Sequence, residues 1–179
     1  MEPQAIGLLV ATHGHSDHVG SIGEIKELTG CEVAINQREK DWLEQGLKPL
    51  PPVITPWGKI FAVLVKMAAP LMSFSPTSVD LVLGDQDFSL ESYGIHGTIL
   101  YTPGHSSGSM SLLLDSGDAF VGCVAMNGLP FRIGPGMPCF GDDLAALRES
   151  WRLLIDRGAK VIYPAHGNPF NAEVLASLL

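Results

Sequence analysis

A near-continuous apolar run, Ile6-Gly7-Leu8-Leu9-Val10-Ala11, passes through Thr12 straight into His13-Gly14-His15-Ser16-Asp17-His18. The run lacks polar alternation and reads as a strand buried on both faces, which demands cover on each side and so a layered α/β architecture. The six residues after it hold four strong metal ligands, three imidazoles and a carboxylate, suited to zinc and similar divalent ions. A short loop leaving a strand can turn alternate side chains toward one ion and the others toward a second. The plainer reading is a polar loop in which Ser16 or Asp17 caps a helix starting near Val19. Capping alone rarely calls for three histidines and an aspartate, and ligands clustered in this way need a compensating charge.

Two later turns carry further histidines. A strand over Thr98–Tyr101 leads into Thr102-Pro103-Gly104-His105-Ser106-Ser107-Gly108-Ser109, and a strand over Val161–Tyr163 leads into Pro164-Ala165-His166-Gly167. Proline fixes the approach and glycine permits a close turn, so His105 projects from a rigid loop. Alone, each would read as an ordinary loop histidine; together with the first cluster they point to a centre for two metal ions. Ala119–Val121 likewise ends in Gly122-Cys123. His96, between Gly94 and Gly97, is most simply a turn residue, and Cys31 and Cys139 read as structural.

Strand and helix patterns alternate along a single domain, residues 1–179. Helices are expected over Ile22–Leu28, stopped by Gly30, and from a capping-box-like Asn36/Glu39 start to just before Gly46. Glu32–Ile35, Leu81–Leu83 and Phe88–Leu90 read as strands, and Ser109–Leu114 with Ala119–Cys123 as a hairpin across Asp115-Ser116-Gly117-Asp118. Leu144, Leu147, Trp151, Leu154 and Ile155 keep helical spacing up to Gly158, and Ala172–Leu178 reads as a terminal helix. Pro49 to Pro56 is a proline-rich loop. The apolar Trp57–Phe74 segment reads as a buried or subunit-facing helix, with a lid or a membrane-surface helix as alternatives. Pro130, Phe131 and Met137 are candidates for lining a cleft.

With 179 residues, 46% hydrophobic and 17% charged, the chain can bury one sizeable core. The formal charge of −8 disfavours a nucleic-acid partner. Ile60–Met72, broken by Lys66 and Pro70, falls short of the about 20 apolar residues of a membrane span, and no secretory signal precedes the first strand. Three cysteines form no disulfide framework and suit a reducing cytoplasm.

These motifs resemble the metallo-β-lactamase superfamily over nearly the whole chain: H-x-H-x-D-H at His13–His18, T-P-G-H-S-x-G-S ending at Ser109, Gly122-Cys123, and P-A-H-G at Pro164–Gly167, in matching order. The resemblance implies a four-layer αβ/βα sandwich with metals at one edge between two sheets. It implies that His13, His15 and His105 bind one metal and Asp17, His18 and His166 the second, with two zinc ions per chain and iron or manganese as alternatives.

Two departures from the family pattern stand out. Most hydrolases of the family carry an aspartate that bridges both metals at the position of Cys123. Cysteine there resembles the lactamase branch, whose thiolate binds the second zinc, yet that branch generally lacks the equivalent of His18; the bland alternative is a small buried residue filling the aspartate's space. The chain also begins at the strand bearing the first cluster, where relatives usually have several strands before it. An unpaired sheet edge follows as an expectation, with a homo-oligomer covering it, or an incomplete reading frame, as the explanation.

The activity implied is hydrolysis by a metal-activated water, Asp17 orienting the nucleophile and helping to carry its proton, on a small acyl substrate such as a thioester, lactone, ester or amide. Phosphodiester hydrolysis is an alternative, and so is β-lactam hydrolysis, although for the latter the basic residue expected a few positions after the cysteine is absent and Met126 and Asn127 occupy that region. A non-catalytic metal-binding or interaction protein of the same fold is the rival from another class.

Overall fold

The computed structural model describes residues 2–47, 49, 52–68, 74–128 and 132–179, the side chains of residues 57, 60, 61, 66 and 68 excepted. Two sheets form its centre. Strands β1 (Leu8–Val10), β2 (Glu32–Asn36) and β3 (Leu81–Leu83) make a parallel sheet in the order β1-β2-β3. The second sheet is mixed and six-stranded: β4 (Phe88–Ser89), β5 (Gly97–Tyr101), β6 (Met110–Leu114), β7 (Asp118–Gly122), β10 (Val161–Pro164) and β11 (Phe170–Asn171), in the order β11-β10-β7-β6-β5-β4. A small hairpin pairs β8 (Met126–Asn127) with β9 (Pro135–Gly136).

Because successive strand residues face opposite ways, each sheet feeds two cores. Val33 and Ile35 of β2 pack with Val19, Ile22 and Leu43 from the helices α1 (Ser16–Val19), α2 (Ile22–Thr29) and α3 (Lys40–Gln45). Ala34, between them, turns to the other side and meets Leu90, Ile99 and Met110 between the sheets. Leu100, Leu113, Ala119, Val121 and Ile162 point away from that layer, onto Leu147, Trp151 and Leu154 of α5 (Leu144–Asp156) and Leu175 of α6 (Glu173–Ser177). Helix, sheet, sheet and helix thus stack as the four layers that the resemblance implies.

Most expected elements stand within a residue or two. The hairpin forms with β6 and β7 antiparallel, and Asp143 caps α5 by accepting from the N–H groups of Ala145 and Ala146 at 2.8 and 3.0 Å. Helix α2 ends at Gly30 with φ 72°. Strand β1 is half-buried rather than fully enclosed, since it lies at the sheet edge and pairs only with β2 among the described residues.

One expectation needs correcting. Glu39 is no capping-box residue: Asn36 Oδ1 accepts from Arg38 N–H at 3.0 Å, while the Glu39 carboxylate is taken up elsewhere (below). The segment after residue 56 is helical, as α4 (Pro56–Ala68), and it exposes Val63, Leu64 and Met67 at 59, 57 and 72%. Residues 69–73, and Pro130 and Phe131, lie outside the described residues. No helix among the described residues is long and apolar enough to cross a membrane.

Candidate metal centre

All seven residues singled out as ligands converge at the ends of β1, β5, β7 and β10. His13 and His15 lie in the loop after β1, and His15 stands at the N-terminus of α1 without capping it. Asp17 and His18 follow on α1, so the bland reading of this loop as a helix cap does not hold.

The turn carrying His105 is held from several sides. Thr102 N–H donates to the Ser109 carbonyl at 2.9 Å, and the Ser106 and Ser109 hydroxyls share a hydrogen bond of 2.7 Å. The start of α5 closes over it: Asp142 and Asp143 N–H donate to the Gly104 carbonyl at 2.8 and 3.0 Å, and Ser150 Oγ donates to Pro103 at 2.7 Å. Gly104 sits at φ 126°, and a Cβ there would lie 2.4 Å from the Leu147 nitrogen, so only glycine fits between turn and helix. The His166 turn is tied to β8, where Asn127 N–H donates to the His166 carbonyl at 3.0 Å and Asn168 N–H to the Asn127 carbonyl at 2.9 Å.

Ring nitrogens of His13, His15, His18 and His105 turn toward one another and toward Cys123. His105 Nδ1 lies 2.9 Å from the Phe140 carbonyl, which can only accept, so Nδ1 carries the proton and the Nε2 lone pair faces the cluster. That Nε2 is 3.1 Å from His15 Nδ1. His13 is buried, with Nδ1 3.1 Å from Thr12 Oγ1, and its Nε2 is the buried side-chain polar atom without a hydrogen-bond partner among the described residues. Such an orphan costs about 1–3 kcal/mol, and a cation removes that cost. On the other flank Asp17 Oδ2 lies 3.4 Å from Nε2 of both His18 and His166, and Cys123 Sγ lies 3.2 Å from His18 Nε2. One ligand atom each from His13, His105 and Cys123 lie within 4.8 Å of one another, as do those of His18, Cys123 and His166. This donor set fits divalent metal ions.

The electrostatics suit cation binding. Burial holds His13 well below its ordinary value, with the neighbouring His18, His105 and His15 adding to the effect. Burial likewise lowers His15 to about 4 and His105 to about 3, so these rings are neutral donors at neutral pH. Burial alone would raise Asp17, but hydrogen bonds to His166 and His18 outweigh it and hold the carboxyl well below its usual range. Burial, and then the Asp17 charge, push the Cys123 thiol up, so that a cation is needed to make it a thiolate.

Three contributors escaped the sequence. Glu39, fully buried, reaches both ligand loops: its carboxylate accepts from the N–H groups of Gly14 and Gly108, the latter at 2.8 Å. Trp42, one turn further on, stacks on the His15 ring with centroids 6.0 Å apart and 14° between planes. Asn127 braces the His166 turn. No local sequence signal marks Glu39, because its partners lie 25 and 69 residues away. His96 is exposed at a bend, and Cys31 and Cys139 are buried and free of disulfides.

The chain belongs to the metallo-beta-lactamase superfamily, whose family model matches residues 2–166. Among curated relatives it is 26% identical to Beta-lactamase-like protein 2 homolog of Drosophila melanogaster, over 93% of this chain and 47% of that protein. It is 28% identical to Probable metallo-hydrolase YqgX of Bacillus subtilis, over 63% of this chain and 46% of the relative. The chain therefore spans about half the length of these relatives. The crystal structure of ST1585, an archaeal superfamily protein from Sulfolobus tokodaii, shares the fold with a TM-score of 0.70 and 24% identity, covering 97% of this chain and 66% of that one.

Proposed function

We propose that this protein is a metal-dependent hydrolase with two metal ions per chain, acting on a small acyl-type substrate such as a thioester, lactone, ester or amide. The observation that carries the reading is the convergence of seven donors from four strand ends into two adjoining groups, one of which holds the orphaned His13 Nε2. Membership of the superfamily and the name of the B. subtilis relative, a probable metallo-hydrolase, support the class. His13, His15 and His105 hold one ion; Asp17, His18 and His166 hold the second, with Cys123 beside both groups. Zinc is the preferred occupant because a thiol joins the imidazoles, and iron or manganese are accommodated by the His/Asp donors.

When bound, such ions supply Lewis acidity for the substrate oxygen and a water acidic enough to deprotonate near neutral pH. The chain's own part is orientation. The Phe140 carbonyl fixes the His105 tautomer, and Glu39 fixes the relative position of the two ligand loops. Asp17, ionised and 3.4 Å from two imidazole nitrogens, is placed to orient the nucleophile and to pass its proton on.

The protein is further proposed to act in the cytoplasm as a homo-oligomer, without nucleic acid or membrane as partner. The half-buried edge strand β1 and the exposed Val63, Leu64 and Met67 support self-association. A monomer by light scattering at micromolar concentration would count against that part. For the activity, turnover of acyl esters and thioesters by the zinc-loaded protein should be lost in both His13→Ala and His105→Ala. Turnover unchanged in both variants would overturn it.

A further inference from the structure

The seven donors divide around one atom. His13, His105 and Cys123 form one group with all ligand atoms within 4.8 Å, and His18, Cys123 and His166 form the other. The two remaining donors sort the same way. His15 Nδ1 lies 3.1 Å from His105 Nε2, and Asp17 Oδ2 lies 3.4 Å from the Nε2 atoms of His18 and His166. Three donors stand on each side, and the Cys123 sulfur is the atom common to both. We propose that the Cys123 thiolate bridges the two metal ions, donating one electron pair to each, rather than serving the second ion alone. This rests on the dinuclear reading above.

Charge supports the sharing. The group of His13, His15 and His105 consists of neutral imidazoles and offers no anion of its own, whereas the other group has Asp17. A divalent ion held only by three neutral rings in a buried site keeps its full charge in a poorly solvated place, beside a second ion of the same sign. A sulfur anion between the ions lowers the charge of both and screens one from the other. Position supports it too. Cys123 follows directly on β7, a central strand of its sheet, and is 2% exposed. Trp151 Nε1 donates to the carbonyl of the next residue, Val124, at 2.9 Å and pins the loop from beneath. On loading, the thiol proton leaves to solvent and the sulfur gains two metal bonds, with no change of oxidation state.

Titrating the metal-free protein with cobalt(II) tests this without any variant. The expected result is a near-ultraviolet thiolate-to-cobalt charge-transfer band that grows through both the first and the second equivalent. Cys123→Ala should abolish the band and weaken both ions by about tenfold or more. Cys123→Asp, which restores a bridging anion without sulfur, should bind two ions with no band. A band that saturates at one equivalent, or a Cys123→Ala variant that loses affinity for one ion only, makes the cysteine a terminal ligand and overturns the proposal. Two cobalt ions bound without any band would exclude the sulfur altogether and leave the dinuclear reading standing. Absence of cobalt binding would sink both together.

Discussion

The Glu39 Oε1 atom accepts a hydrogen bond from the backbone N–H of Gly108 at 2.8 Å, and the other oxygen of the same carboxylate accepts from the N–H of Gly14. One buried side chain, at the N-terminus of α3, thereby ties the loop of His13 and His15 to the loop of His105. A Cβ at Gly108 would sit 2.7 Å from Glu39 Cγ, so the close approach depends on glycine.

Replacing Glu39 by Gln keeps the shape but puts an NH2 group opposite one of the two peptide donors, leaving a buried N–H without an acceptor. The expected cost is about 1–3 kcal/mol of folding stability. Metal affinity, measured by competition with a chelator, should fall about 10- to 100-fold, as it does when partners that orient ligands are lost. Gly108→Ala should lower affinity in the same direction by pushing the carboxylate away. Unchanged affinity in both variants would show that the two loops hold their spacing without Glu39.

Trp151 links core and site. Its indole is buried, and Nε1 donates to the Val124 carbonyl at 2.9 Å, one residue beyond Cys123. Trp151→Phe should cost about 1–3 kcal/mol by leaving that carbonyl unpartnered, and Trp151→Ala about 3–5 kcal/mol by opening a cavity as well. Urea denaturation at neutral pH measures both. A Trp151→Phe variant as stable as the wild type would contradict the contribution of the hydrogen bond.

Acid should destabilise the metal-free protein over a defined range. Burial lowers His15 to about 4 and His105 to about 3, from an ordinary 6.5, so the unfolded chain takes up these protons first. Stability therefore falls as pH drops from about 6.5 and levels off near the folded values. The lowered Asp17 acts in the same direction at lower pH: its stabilisation is present above the ordinary 3.8 and is lost below it. Thermal melts in chelator between pH 7 and pH 4 should show a steadily falling Tm, with a shallower fall in His15→Gln. A flat profile would contradict the burial of uncharged rings.

Much of the site was legible because its ligands stand where strands end, and the flanking prolines and glycines mark those ends in the sequence. The layers were legible from the apolar runs and from the spacing of Leu144 to Ile155. Glu39 reads as part of a local cap because Asn36 stands three residues before it, whereas its partners are 25 and 69 residues away. Strands β8, β9 and β11 have two residues each, too few for any periodicity to register. For α4 the sequence leaves a buried and a subunit-facing helix side by side, because an apolar segment carries no sign of whether its own chain covers it.

The central claim is a centre for two ions split between two ligand groups, and metal content tests it most directly. Protein stripped with chelator, reloaded with zinc and desalted should hold two ions per chain by elemental analysis. His105→Ala and His166→Ala should each retain one, from opposite groups. A wild-type protein that binds no ion, or two variants that both still hold two, would contradict the account.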